Sequence, residues 1–221
     1  MLLLVAVLLL LLVFEGTPLD LELARLFYDP QQAQFPLRRT WLFEQFLHKD
    51  MRHATRWAVY AALGVCCLGY LGKLSWLPRR NALFAALGML LIPAVVSLLK
   101  ARTQRYCPWD IVEFGGFAPY QSLLAAAPTG LKAGRCFPAG HASAGFLWLV
   151  WAFALRPAGR RATRLGLAAG LCMGSLFGLE RMIQGAHFLS HTLWSLWFAW
   201  ATSLALALLL KAELDDPAGQ G

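Results

Sequence analysis

Three histidines, His141, His187 and His191, stand at the ends of apolar runs beside Lys100 and Arg181, in a chain that is 58% hydrophobic and only 14% charged. An imidazole titrates close to neutral pH, so it can attack phosphorus as a free base or protonate a departing oxygen. Lys and Arg side chains hold phosphoryl oxygens by charge-assisted bonds, and backbone N–H groups at a Gly-containing helix start such as Gly140 add to the cradle. Residues of these types, gathered at helix ends, predict phosphoryl chemistry at a membrane surface.

The elements that must position them are membrane helices. The chain has 221 residues, and a mean hydropathy of +0.54 is too apolar for a soluble domain of this size. The sequence predicts an all-α, six-span bundle with spans near 1–14, 55–76, 82–99, 141–155, 165–179 and 188–210. The first run is read as a retained helix, because no basic residue precedes it and no small-x-small site follows. Leu19 to Phe27 and Trp41 to Leu47 are read as interfacial helices on the extracytoplasmic side, forming a cap without catalytic residues, with His48 and His53 as interface groups. The expected division is 1–54 for the first helix and its interfacial segment, 55–211 for the main membrane domain and 212–221 for a short cytoplasmic tail.

The net charge of +8 is spread through short loops, which suits anionic lipid head groups and cytoplasmic loops better than nucleic acid. Arg79-Arg80, the Arg156 to Arg164 cluster and Lys211 fall on one side if the spans alternate. Arginine-rich short loops belong in the cytoplasm, so residues 15–54, 100–140 and 180–187 share the opposite face. The loop 100–140 nevertheless keeps Lys100, Arg102, Arg105, Lys132 and Arg135, and cations retained against that bias call for an anionic substrate. Cys66, Cys67 and Cys172 lie inside apolar runs and read as packing residues, whereas Cys107 and Cys136 lie in the loop that carries the polar groups.

These residues carry a resemblance. Lys100 and Pro108, then Pro138-Ala139-Gly140-His141, then Arg181, His187 and His191 fall at the spacings of the three motifs of the type 2 phosphatidic acid phosphatase superfamily, KxxxxxxRP, PSGH and SRxxxxxHxxxD. The resemblance implies His187 as nucleophile, His141 as general acid, and Lys100, Arg181 and the Gly140 amide as the phosphate cradle. It also has departures. Cys107 stands where the first motif has arginine, leaving Arg105 or Arg102 to substitute; Ala139 and Glu180 replace the two serines; and His191 replaces the aspartate that orients the nucleophile. Asp110, Glu113 and Glu180 are the candidates for the missing acid, and His191 could orient His187 from one helical turn away. The run from Cys107 to Gly116, with its Phe-Gly-Gly, is further similar to the lipid A 4′-phosphatase branch.

The resemblance implies a metal-independent lipid phosphatase or pyrophosphatase, without cofactor, working through a phosphohistidine in a bacterial inner membrane with its site facing the periplasm. Lipid A, undecaprenyl pyrophosphate and phosphatidylglycerophosphate are substrates of the kind expected. The alternative is a lipid-to-lipid phosphotransferase or an altered phospholipid binder. Cys107 and Cys136, next to the first and second motifs on an oxidising face, are expected to form a bridge, with two free packed thiols as the alternative.

Overall fold

The computed structural model describes residues 1–210; Lys211 and the expected tail lie outside the described residues. The described chain is helical, without strands. In order it forms α1 (Leu2–Gly16), α2 (Leu19–Arg25), α3 (Met51–Tyr70), α4 (Arg79–Arg102), α5 (Gly140–Phe146), α6 (Val150–Ala154), α7 (Arg160–Ile183) and α8 (Leu189–Leu210). A π-helical stretch, Leu42–Asp50, runs directly into α3, and a 3-10 turn, Leu147–Leu149, joins α5 to α6.

Three helices, α4, α7 and α8, are long and apolar enough to cross a membrane. The count rises to four if α1 and α2, bent by 67° at Thr17-Pro18, are taken as one span. This is fewer than the six read from the sequence. Helix α3 carries Arg52, His53 and Arg56 in its first turns, and the run Gly140–Ala154 is short and interrupted by the 3-10 turn.

Close packing of α5 and α6 against α7 follows from glycines spaced four apart on α7: Gly166, Gly170, Gly174 and Gly178 lie on one face. A side chain there has no room. A Cβ on Gly145 of α5 would sit 2.4 Å from the Gly174 nitrogen, and one on Gly170 would sit 2.6 Å from the Leu149 nitrogen. Small residues let helix backbones approach where the surrounding medium supplies no hydrophobic drive. The core beside this seam contains Phe84, Ile92, Phe146, Leu149 and Val150, all essentially unexposed.

A second cluster caps one end of the bundle. Tyr28, Phe35 and Phe114 form an aromatic triangle with centroids 5.1 to 5.5 Å apart. Gly185, in the left-handed region at φ +70°, lies beneath the Phe35 ring, which would be 2.4 Å from any Cβ placed there. The N-terminal segment is thereby fastened onto the turn that connects α7 to α8.

Gly145→Ala is expected to destabilise the protein by about 1–3 kcal/mol, since backbone on the facing helix cannot yield as a side chain would. Gly64→Ala in α3, where a Cβ meets nothing within 4 Å, is the control. Thermal melting of both variants in detergent checks the difference.

Candidate active site

Three segments far apart in the sequence are stitched at the capped end. The Cys136 N–H donates to the Arg105 carbonyl at 2.8 Å, the Thr103 hydroxyl donates to the Phe137 carbonyl at 2.5 Å, and a disulfide joins Cys107 to Cys136. On the other side the Ala139 N–H donates to the His191 carbonyl at 3.2 Å, and the Ser195 hydroxyl donates to both the Ala139 and His191 carbonyls. The Trp109 N–H reaches the Gly185 carbonyl at 3.0 Å. These bonds bring the end of α4, the start of α5 and the α7–α8 turn together. Lys100 on α4 consequently ends beside Gly140, with its Nζ 3.9 Å from where a Cβ would be.

His187 sits in the α7–α8 turn, 6% exposed, with its N–H and that of Ala186 both directed at the Arg181 carbonyl. Its Nδ1 lies 3.4 Å from Nδ1 of His191, one turn into α8. Two facing Nδ1 atoms bond only if one carries a proton and the other a lone pair. If His187 Nδ1–H is the donor, its Nε2 keeps a lone pair and His191 carries its own proton on Nε2. Burial first, then the charge of Lys100 and the neighbouring His191, Arg181 and His141, hold His187 well below the usual histidine range. The imidazole is therefore a neutral base at neutral pH.

Cations crowd this end. Arg38, from the N-terminal segment, stacks over Trp109 with Cζ 3.9 Å from the ring centroid, and Arg181 approaches the same ring at 5.6 Å. The Arg181 guanidinium is held by Gln184, whose amide in turn donates to the Arg38 carbonyl at 3.4 Å. His48 lies within the site. Its ring stacks on His141 at 4.3 Å, its backbone hydrogen-bonds the His141 ring, and its Nδ1 is 3.3 Å from Arg181 Nη1. Burial, followed by the charges of Arg181, Arg52 and Lys49, pushes His48 down to about 4, so its Nδ1 is free to accept from Arg181.

A family model of the PAP2 superfamily matches residues 81–214, more than half of the chain. The chain belongs to the PAP2 superfamily. Its members are phosphatases, which supports a phosphoric monoester hydrolase in general terms. No curated protein and no solved structure matches the chain at a significant level.

Within this PAP2 chain the sequence-derived candidates divide. Lys100, Gly140, His141, Arg181, His187 and His191 converge, since Lys100, Arg181, His141 and His191 all act electrostatically on His187. Arg105 does not join the cradle. Its guanidinium is 7% exposed and donates to the Leu123 and Ala125 carbonyls, tying down the loop behind His191. Arg102 is exposed at the end of α4. Neither arginine shows a bond into the space that Cys107 left.

The three acids read as orienting groups do not touch His187. Asp110 accepts from the Cys107 N–H, and burial pushes its carboxyl up against the opposing effects of that bond and Arg38. Glu113 is exposed. Glu180 is buried at 3% exposure with neither oxygen hydrogen-bonded, and its nearest cation is Arg181 at 3.8 Å. Metal binding is poorly served. Cys136 lies near His187 and His191, but its sulfur is committed to the disulfide and cannot offer a thiolate. His48, His141 and Glu180 present ligand atoms within 4.8 Å of one another. The near-parallel stack of the two imidazoles, 25° apart, keeps their planes from meeting at one ion, and Arg181 sets a positive charge beside it.

His48, Arg38 and Gln184 were not among the sequence-derived site residues. The signal available for Arg38 was the same one that singled out Lys100, a cation kept on the face where cations are disfavoured. His48 offered no local signal, since its partners lie 93 and 133 positions away along the chain.

His48→Ala removes the ring beneath His141 and the acceptor for Arg181, and is expected to lower kcat about 10- to 100-fold through loss of orientation. His48→Gln, which can still accept from Arg181, should recover part of the loss. Steady-state phosphate release by the purified variants measures both, and an unchanged kcat in His48→Ala would reduce the residue to packing.

Proposed function

We propose that this chain is an integral membrane lipid phosphatase that works through a phosphohistidine on His187. The observation that carries the reading is a buried, neutral His187, tied through Nδ1 to His191 and flanked by Lys100 and Arg181. A cavity of about 290 Å³ supports a lipid substrate: it reaches Gly140 and His141, with apolar walls from Val59, Met89, Pro93 and Phe177 and with Arg52 and Arg56 also on its lining. The phosphate meets the cations while a hydrocarbon chain lies along those walls.

In the proposed reaction the anionic phosphate offsets the cations around His141 and lets it take up a proton; His187 Nε2 attacks phosphorus, the P–O bond to the lipid breaks, and His141 gives that proton to the leaving oxygen. Water then attacks the phosphohistidine with His141 as base, the N–P bond breaks, and phosphate leaves with His141 again protonated. Lys100, Arg181 and the Gly140 N–H balance the charge on the equatorial oxygens. The reading extends to a six-span topology in a bacterial inner membrane with the site on the periplasmic face. It rests there on the loop arginines, and a lipid monophosphate or pyrophosphate of the cell envelope is the substrate class.

His187→Ala is expected to abolish both phosphate release from lipid phosphates and the acid-labile, base-stable phosphoenzyme, while the protein remains inserted and folded. The effect exceeds the ~10²–10⁴ typical of a lost general acid or base, because the bond-forming atom itself is gone. Wild-type turnover in that variant sinks the assignment. A phosphoenzyme that passes its phosphoryl group to an added lipid alcohol, giving a new lipid phosphate and no inorganic phosphate, identifies a transferase instead.

The pH profile follows from the state of His187. Attack needs the neutral imidazole, and its proton affinity is held down, so the acid limb of kcat/KM should lie below the ~6.5 of an unperturbed histidine. Removing the first-named cation in Lys100→Ala relaxes that suppression, so the limb of the residual activity should move to higher pH. Profiles of the two proteins on a soluble short-chain lipid phosphate test the direction of the shift.

A further inference from the structure

Behind His191, on the side away from His187, lies a small polar cavity of about 20 Å³. Its wall includes Asp20, Arg105, Tyr120, Gln121, Ser190 and His191. A cavity of this size accommodates one water, which needs two to four polar partners. Two are waiting: Arg105 Nε, a donor on a side chain only 7% exposed, and Gln121 Oε1, an acceptor, are both buried without a hydrogen-bond partner in the protein. Asp20 itself is 4% exposed. Its Oδ1 accepts from the Ser190 N–H at 3.0 Å and its Oδ2 from the Ser190 hydroxyl. A carboxylate has about four acceptor positions, so capacity remains on the side that faces the cavity.

We infer that Asp20 is the positioning carboxylate of this active site, acting on the nucleophile through a cavity-bound water and His191. The inference rests on the phosphatase reading above. His187 Nδ1–H donates to His191 Nδ1, His191 Nε2–H donates to the water, and the water donates to Asp20 while accepting from Arg105 Nε. No proton needs to leave its atom. As His187 Nε2 bonds to phosphorus its ring becomes cationic, and the aligned donors carry that charge toward Asp20, which burial pushes up to about 6 and which is still mainly ionised at neutral pH. Thus the aspartate that the third motif lacks at position 191 is supplied from α2, outside the 81–214 match. The charged and titratable groups facing His191 are His187, Lys100 on α4, Arg105 on the loop, Asp20 on α2, Glu15 on α1 and Tyr120. Glu15, which accepts from the Leu124 N–H at 3.1 Å, is only partly buried, so Asp20 is the fully buried acid on this wall.

Asp20 also caps the start of α8, so a simple loss of activity on mutation would not separate the two roles. Asp20→Asn keeps an oxygen for the Ser190 N–H and removes the charge. On a lipid phosphate it should lower kcat about 10- to 100-fold, comparable with loss of a partner that orients a metal-bound histidine, with KM little changed. His191→Asp puts a carboxylate directly against His187 and makes the relay unnecessary, so Asp20→Asn should have almost no further effect on kcat in that background. Equal losses in the two backgrounds, or an inactive His191→Asp, overturn the inference. So does wild-type kcat in Asp20→Asn while His187→Ala is dead, an outcome that leaves the phosphatase reading intact. Absence of phosphate release and phosphoenzyme in the wild type is what removes that reading. Should Asp20→Asn fail to fold, Gln121→Leu, which makes the cavity apolar without touching the cap, must lower kcat, and an unchanged value there also overturns the relay.

Discussion

A histidine that attacks through Nε2 must keep its proton on Nδ1, and here that requirement falls on a contact between two imidazoles. His187 and His191 meet Nδ1 to Nδ1 at 3.4 Å, so the tautomer of each dictates that of the other. A carboxylate in place of His191 would accept the proton unconditionally, whereas an imidazole accepts only while its Nδ1 is bare. The geometry that enforces this is a matter of backbone. The His191 carbonyl is held by the Ala139 N–H and the Ser195 hydroxyl, which fixes the first turn of α8 against the loop segment that leads into Gly140 and His141. The residue proposed as nucleophile and the residue proposed as acid are therefore set in register by one short stretch, Cys136 to Ala139. The disulfide fixes that stretch from its other end, closing a sequence separation of 29. In the chain-entropy account such a closure contributes roughly 3–4 kcal/mol.

The N-terminal segment does more than cover this arrangement. Phe35 packs on Gly185, Arg38 shares Trp109 with Arg181, and His48 stacks on His141 while accepting from Arg181. The contact with Arg181 also explains why His48 must be uncharged. Two like charges ~4 Å apart repel by about 4 kcal/mol at the effective dielectric of a protein surface, and deprotonating a histidine is far less costly than that. His48 is thus a hydrogen-bond acceptor made available first by its burial and then by its neighbours' charge.

Much of the site was legible in the sequence because its main residues are fixed by short spacings. Lys100, Gly140, His141, Arg181, His187 and His191 are recognisable along the chain, and helix geometry places His187 and His191 one turn apart without further information. The pairing of Cys107 with Cys136 was legible from their positions beside two of these motifs. What was not legible depends on tertiary contact. Asp20 reaches Ser190 across 170 positions and His48 reaches Arg181 across 133, and no local pattern records either. Asp110, Glu113 and Glu180 were candidates for the orienting acid because they fall on the same predicted face, yet one is tied to the Cys107 N–H, one is exposed and one is beside Arg181. Length and composition support three spans, or four with the bent α1–α2 pair, and the further spans read from the sequence fall at α3 and at 140–154. Apolar content locates membrane-compatible segments, but it does not register the arginines at the start of α3 or the 3-10 turn that divides 140–154.

The same cations that make the site receptive to a phosphate make it costly to fold. Lys100, Arg181 and Arg38 are brought together with few acids in reach, and the one carboxylate beside Arg181, Glu180, is not hydrogen-bonded to it. Concentrating like charge in a partly desolvated pocket opposes folding, and only an opposite charge relieves it. Apolar packing has to hold the arrangement in the meantime, and it is concentrated where it can do so: the glycine seam of α7 against α5 and the aromatic triangle over the α7–α8 turn both clamp elements that carry these cations or the histidines. An anion that binds the folded state alone stabilises the protein by an amount that grows with the logarithm of its concentration over its Kd. The electrostatic strain of the gathered cations and the attraction that the proposed phosphate would feel are two expressions of one charge distribution.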